Sequence, residues 1–216
     1  MVDVPNSSFP YEGLRVAKRP KGEHLYRVFS MLNRTPLTFF YFSQLAAWTK
    51  FEFDLRIDSY EAVNRWFDGP ESSLFIAFYV RFIERDHFFY IPDPKHLDAT
   101  QAFEKYSRGA NVVATPLTTP EPAHKSIEFW NRLKMLSLIT QHRERMTKGN
   151  LDNFCKSIFL KNITIKDLAG LPEYSDGEAV AYAFELIRQG RCSMCGIASE
   201  LINLNSIIKL NEFGVT

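Results

Sequence analysis

The chain has 216 residues, of which 45% are hydrophobic and 24% charged, and its formal net charge is +1. A chain of this length can bury about 70% of its unfolded surface without staples, and its composition is that of an ordinary globular protein. The near-zero balance excludes global polyelectrolyte behaviour, and the three cysteines, odd in number and sparse, argue against a secreted disulfide framework.

Residues 1–22 read as an extended basic arm. Pro5, Pro10 and Pro20 remove backbone donors, and Arg15, Lys18, Arg19 and Lys21 carry its charge. An arm of this kind gains order only by lying on something, so it is a candidate partner-binding element. A mixed α+β lobe is expected over residues 23–110. In it, KFEFDLRID alternates apolar and polar residues, which predicts a half-buried strand over 50–58. Asp58 with Glu61 resembles a capping box, and Tyr60, Val63, Trp66 and Phe67 fit one side of a short helix. The densest apolar run, SSLFIAFYVRFIERDHFFYIPD, predicts a central antiparallel hairpin over about 72–92. Its first strand is apolar on both faces, as in the middle of a covered sheet, and Pro92 and Pro94 end the pairing.

A helix is predicted from Asp98, and a Pro-rich linker over 111–122. An all-helical lobe is then expected over 123–216. Its long first helix, 123–148, is apolar almost all round, which means burial on several sides or in an interface. Shorter helices follow over 151–161, from a Thr164–Asp167 cap pair, over 176–189 from a Ser175–Glu178 pair, and over 197–212. The fold class is therefore α+β.

Charge is segmented along the chain: net +4 over 1–50, −5 over 51–121, +6 over 122–166 and −4 over 167–216. Alternating blocks can neutralise one another within a fold or between copies in an assembly. Alternatively the +6 block can meet phosphate. Its candidate nucleic-acid-binding residues are Lys125, Arg132, Lys134, Arg143, Arg145, Lys148, Lys156 and Lys161, followed by Lys166. The helices after 150 allow a helix-turn-helix, but the polar face of 176–189 carries Glu178 and Glu185, which would repel phosphate.

Other chemistry is thinly signalled. Cys192 and Cys195 form a lone CxxC without a βαβ context or a second ligand pair, so two small side chains packed between helices are the better reading. Asp86, His87, Asp93 and His96 lie close in sequence and could serve a metal-dependent enzyme; His87, Asp93 and His96 are the metal candidates. Turn chemistry explains the aspartates equally well. No phosphate-binding loop, nucleophile elbow or zinc-protease motif occurs in the sequence. Phe75, Tyr79 and Arg81 share one face of a strand that resembles an RNA-recognition strand, yet the glycines of that motif are missing.

The sequence thus points first to a non-catalytic protein that works by association. It would self-associate or join a larger protein assembly through its arm, its long apolar helix and its charge blocks. The 19 phenylalanines beside 9 tyrosines agree with extra buried surface of this kind. A viral or phage structural component suits the pattern. Non-sequence-specific nucleic-acid binding through 125–166 is the alternative. No cofactor is implied, and no membrane is among the expected partners, because the apolar runs are far shorter than the ~20 residues of a membrane helix. The N-terminal residues lack a basic region followed by an apolar one, so the expected location is cytoplasmic or nuclear, or within a virion.

Overall fold

The structure is a computed structural model, and it describes residues 13–19, 24–117, 125–158 and 162–211. A five-stranded sheet organises the N-terminal part. Its strands are β1 (Leu14–Val16), β4 (Ile57–Asp68), β5 (Ser73–Phe82), β6 (Asp86–Ile91) and β7 (Val113–Pro116), in the order β1-β4-β5-β6-β7. A separate hairpin, β2 (Tyr26–Ser30) with β3 (Thr35–Phe39), leads into helix α1 (Phe42–Phe51).

The expected central hairpin is present: β5 and β6 pair antiparallel, with Arg81 opposite Asp86. β5 is buried on both faces because both are covered. On one side Phe75, Ala77, Phe78 and Val80 pack with α1, the β2–β3 hairpin and Phe129; on the other Leu74, Ile76 and Tyr79 pack with Ala99 and Phe103 of α2 (Leu97–Gly109). α2 crosses from β6 to β7, which lies parallel to β6. Part of the Pro-rich stretch 111–122 is therefore a strand; residues 118–122 lie outside the described residues.

Two expectations around residues 50–68 are corrected. The strand predicted over 50–58 is instead the end of α1 followed by a turn. There the Asp54 carboxylate accepts from the Arg56 backbone N–H at 3.1 Å and from the Arg56 guanidinium at 2.7 and 2.9 Å, while Leu55 is 63% exposed. Asx-type bonding of this kind competes with strand pairing. The helix predicted from Asp58 is β4. The register runs Ile57↔Phe82 to Ser59↔Arg81 and Ala62↔Phe78 to Arg65↔Ile76, so β4 carries one extra residue at each of two bulges. Extra residues turn a two-residue period into spacings of three, which is the spacing that reads as a helix. Asn64 sits in the second bulge at φ 48°, a left-handed conformation that Asn tolerates. Its side chain donates to Thr38 O at 2.9 Å and accepts from Gln44 Nε2 at 2.8 Å.

The C-terminal part is helical in its first half. α3 (Ile127–Gln141) is followed by a 3-10 turn (Arg143–Arg145), α4 (Lys148–Ile158), α5 (Ile165–Ala169) and α6 (Glu178–Arg188). The helix predicted over 123–148 is thus α3 alone plus a turn. Its all-round apolarity is used within the chain: Phe129 and Leu136 join the core under the five-stranded sheet, while Met135 and Ile139 join a second core with Phe154, Leu168 and Phe184.

The lobe is not all-helical. β8 (Ile163–Thr164), β9 (Cys192–Met194) and β10 (Ile207–Leu210) form an antiparallel sheet in the order β8-β10-β9. Where a helix was expected over 197–212, residues 197–206 are turns and irregular chain and Ile207–Leu210 is β10. Side chains compete for that backbone. Asn203 Oδ1 accepts from Asn205 N at 2.8 Å, and Ser206 Oγ accepts from Asn203 N at 3.0 Å. Asn131 of α3 then fixes the segment. Its Nδ2 donates to the carbonyls of Ile197 and Glu200 at 2.8 and 2.7 Å, and its Oδ1 accepts from Ile202 N at 2.9 Å.

Candidate functional site

The arm's described part is tied to its own molecule. β1 pairs with β4, and the Arg15 guanidinium makes two bonds to Asp68, at 2.9 and 3.0 Å. Arg15 and Ser73 hold the Asp68 carboxyl down at about 2. Lys18 and Arg19 are exposed, and Lys21 lies outside the described residues.

The described members of the basic block lie on α3, the 3-10 turn, α4 and α5, with Lys125 just before α3. Arg132 pairs with Glu128 and stacks over the Phe53 ring at 5.6 Å; burial lowers its pKa. Arg143 stacks over Phe29 at 5.1 Å, and Arg145 donates to Glu178 at 2.6 Å. Lys125, Lys148, Lys156 and Lys166 are exposed, and Lys161 lies outside the described residues.

Glu178 shows how these internal contacts act. Burial pushes its carboxyl up, but bonds from Ser175, Tyr182 and Arg145 outweigh burial and hold it down at about 2. A depressed carboxyl stabilises the fold above its unfolded value near 4.5, and that contribution is lost as pH falls toward 2. Glu178→Gln is expected to cost about 2 kcal/mol at pH 7. It should also flatten the stability–pH curve between about pH 5 and 2, as read by urea unfolding across that range. An unchanged acid limb would assign the acid sensitivity to other carboxyls.

The enzyme and metal candidates are not brought together. His87, on β6, bonds Thr115 of β7 at 2.9 Å, and burial followed by the Arg85 charge lowers its pKa. Asp86 accepts from the Tyr79 hydroxyl. His96 Nδ1 lies 3.5 Å from Asp93, beyond the end of β6. Among the described residues no group of three His, Cys, Asp or Glu side chains could hold a metal ion. Cys192 is buried on β9, and burial together with Cys155 pushes its thiol up to about 12, so it is no thiolate at neutral pH. Cys195 is exposed in the turn beyond it.

Two features escaped the sequence reading. The first is a buried charged network. Glu185, Arg188 and Gln189, which the 3.6-residue pattern puts on a polar outer face, point inward instead. Arg188 forks onto Glu185 at 2.7 and 2.8 Å, and its guanidinium lies 3.6 Å from Glu52, the C-cap of α1. Glu52 also accepts from Trp48, from the Leu32 backbone and from the Tyr60 hydroxyl. Burial and the Glu52 charge raise the Tyr60 pKa. The network joins α1 to α6 and holds one cation between two carboxylates.

The second is a groove of about 510 Å³ between α3, α6 and the 202–204 segment. Lys134, Ser137, Leu138 and Gln141 form one wall, spaced 0, 3, 4 and 7 along α3. Val180, Phe184 and Ile165 make the floor, and Ile202, Asn203 and Leu204 the opposite wall. The Lys134 ammonium donates to the Ile202 carbonyl at 3.2 Å, and Lys166 N donates to the Leu204 carbonyl at 2.8 Å. Leu201, Leu204 and Ile207 are exposed along this segment. The i, i+3, i+4, i+7 spacing on α3 is a signal that the sequence carries, whereas the opposite wall has none.

No family model matches the chain, and no curated protein matches it. Among the described residues no helix is long and apolar enough to cross a membrane.

Proposed function

We propose that this protein acts by association, without catalysis of its own, taking a protein partner or further copies of itself on its C-terminal half. The observation that carries this reading is the apolar groove between α3 and α6, with exposed Leu201, Leu204 and Ile207 beside it. A concave apolar site with a few polar groups on its walls is a binding surface, and clustered exposed apolar residues mark contact sites. The basic block supports phosphate tracking less well, because Arg132, Arg143 and Arg145 face partners inside the chain.

Size-exclusion chromatography with light scattering, absorbance at 260 and 280 nm and lysine cross-linking tests the reading. A mass above the 25.0 kDa of one chain, or intermolecular cross-links through Lys134 or Lys166, is expected. A particle that stays at 25.0 kDa with no such cross-link removes self-association, and the lack of peptide binding as well overturns the whole reading. Absorbance at 260 nm that salt strips away would move the reading to a nucleoprotein.

A further inference from the structure

We infer that the α3–α6 groove docks a protein segment that places an apolar side chain on the Phe184–Val180–Ile165 floor and an acidic residue beside Lys134; this rests on the association reading above. The groove's volume lies within the roughly 300–1,000 Å³ of sites that enclose a ligand group, at about 510 Å³. Its floor is aliphatic and aromatic, so the group that fills it is apolar.

Charge selects what flanks that group. Among the described residues lining the groove none is acidic, and one, Lys134, is basic. Lys134 bonds the neutral carbonyl of Ile202, and among the described residues it has no carboxylate partner within ion-pair distance. An ammonium carries three donors, so it retains capacity for an incoming carboxylate. The amide of Gln141 on the α3 wall suits the polar backbone of an extended or helical segment. A nucleic acid fits less well, because it requires a row of cations along a strand, and Arg143 and Arg145 lie against Phe29 and Glu178 instead.

The test uses a random twelve-residue phage-displayed peptide library, panned on the full chain and on Lys134→Glu and Ser137→Trp. Both positions are exposed, so the folds should be retained. The wild-type chain is expected to enrich peptides with an apolar residue flanked by Asp or Glu. Fluorescence anisotropy of the consensus peptide should show binding about tenfold weaker in each variant and weaker at high salt. Lys134→Glu should shift enrichment toward Lys and Arg. Enriched peptides without acidic bias, or binding that survives both variants, overturn the groove assignment while association through another surface stands. No enrichment, with a particle at the mass of one chain, overturns both. If Ser137→Trp instead lowers an oligomer's mass and no acidic peptide is enriched, the occupant is a second copy and the acidic-segment assignment fails. Should Ser137→Trp misfold, the charge reversal at Lys134 decides alone.

Discussion

Replacing Arg188 with methionine is expected to cost about 3–5 kcal/mol of unfolding free energy, against a total of about 5–15 for a domain. The substitution preserves much of the side chain's volume, so the loss is electrostatic. Glu185 is fully buried and Glu52 nearly so, and Arg188 is the cation between them. Without it two carboxylates share an interior from which water is excluded, and the neutral donors that remain, Trp48, Leu32 and Tyr60 on Glu52 and Gln189 on Glu185, offset only part of their desolvation cost. Arg188 also donates to the Glu52 backbone carbonyl at 3.4 Å, so the change loosens the end of α1 as well. Arg188→Lys should fall between, since an ammonium cannot reproduce the two-bond fork on Glu185. The double variant Arg188→Met with Glu185→Met should recover part of the loss, because it removes a buried charge with the cation that compensated it. Urea unfolding of these proteins together with the Glu185→Met single variant reads the coupling. A single Arg188→Met loss below about 1 kcal/mol would show that the site is hydrated in solution and that the network does not hold α1 to α6.

Phe78→Ala is the second large effect, expected at about 3–5 kcal/mol. Phe78 is fully buried at the centre of β5 and meets the rings of Phe51, Phe39 and Tyr60 at 5.2, 5.5 and 6.3 Å. Truncation removes transfer free energy and leaves a cavity that rings held by α1, β3 and β4 cannot close. Ile83→Ala, at a residue 76% exposed in the turn after β5, is the control and should stay within about 0.5 kcal/mol. Chemical denaturation with a common slope for both variants checks the pair. Comparable losses at the two positions would mean that β5 is not the centre of the core.

The central strand was legible because an apolar run on both faces has one common explanation, a covered strand, and β5 is covered by α1 and the β2–β3 hairpin on one side and by α2 on the other. The Thr164–Asp167 cap was legible too, because a capping box is a contact between neighbours in sequence: Thr164 Oγ1 accepts from Asp167 N at 3.1 Å. β4 was misread because its bulges shift the apolar period, and a bulge is held by distant segments, here by Thr38 of β3 and Gln44 of α1 on Asn64. The segment after Met194 was misread because its backbone is fixed by Asn131, more than sixty positions away in sequence.

The sequence by itself determined the α+β class, the β5–β6 hairpin, the absence of a dominant net charge and the Thr164–Asp167 cap. All of these rest on composition or on contacts within a few residues. Only the tertiary structure decided where the charges went. Arg132, Arg143 and Arg145 share a basic block in sequence yet turn to Phe53, Phe29 and Glu178 in space. Glu185 and Arg188 lie on a helix face that is polar by pattern and buried in fact, because Glu52 arrives from α1 to meet them. The groove arose the same way, since α3 supplies one wall and the chain seventy residues later supplies the other. Hydrophobic and capping signals are carried by one segment and survive in one dimension. An ion pair or a groove is a property of two segments, and only their approach in three dimensions creates it.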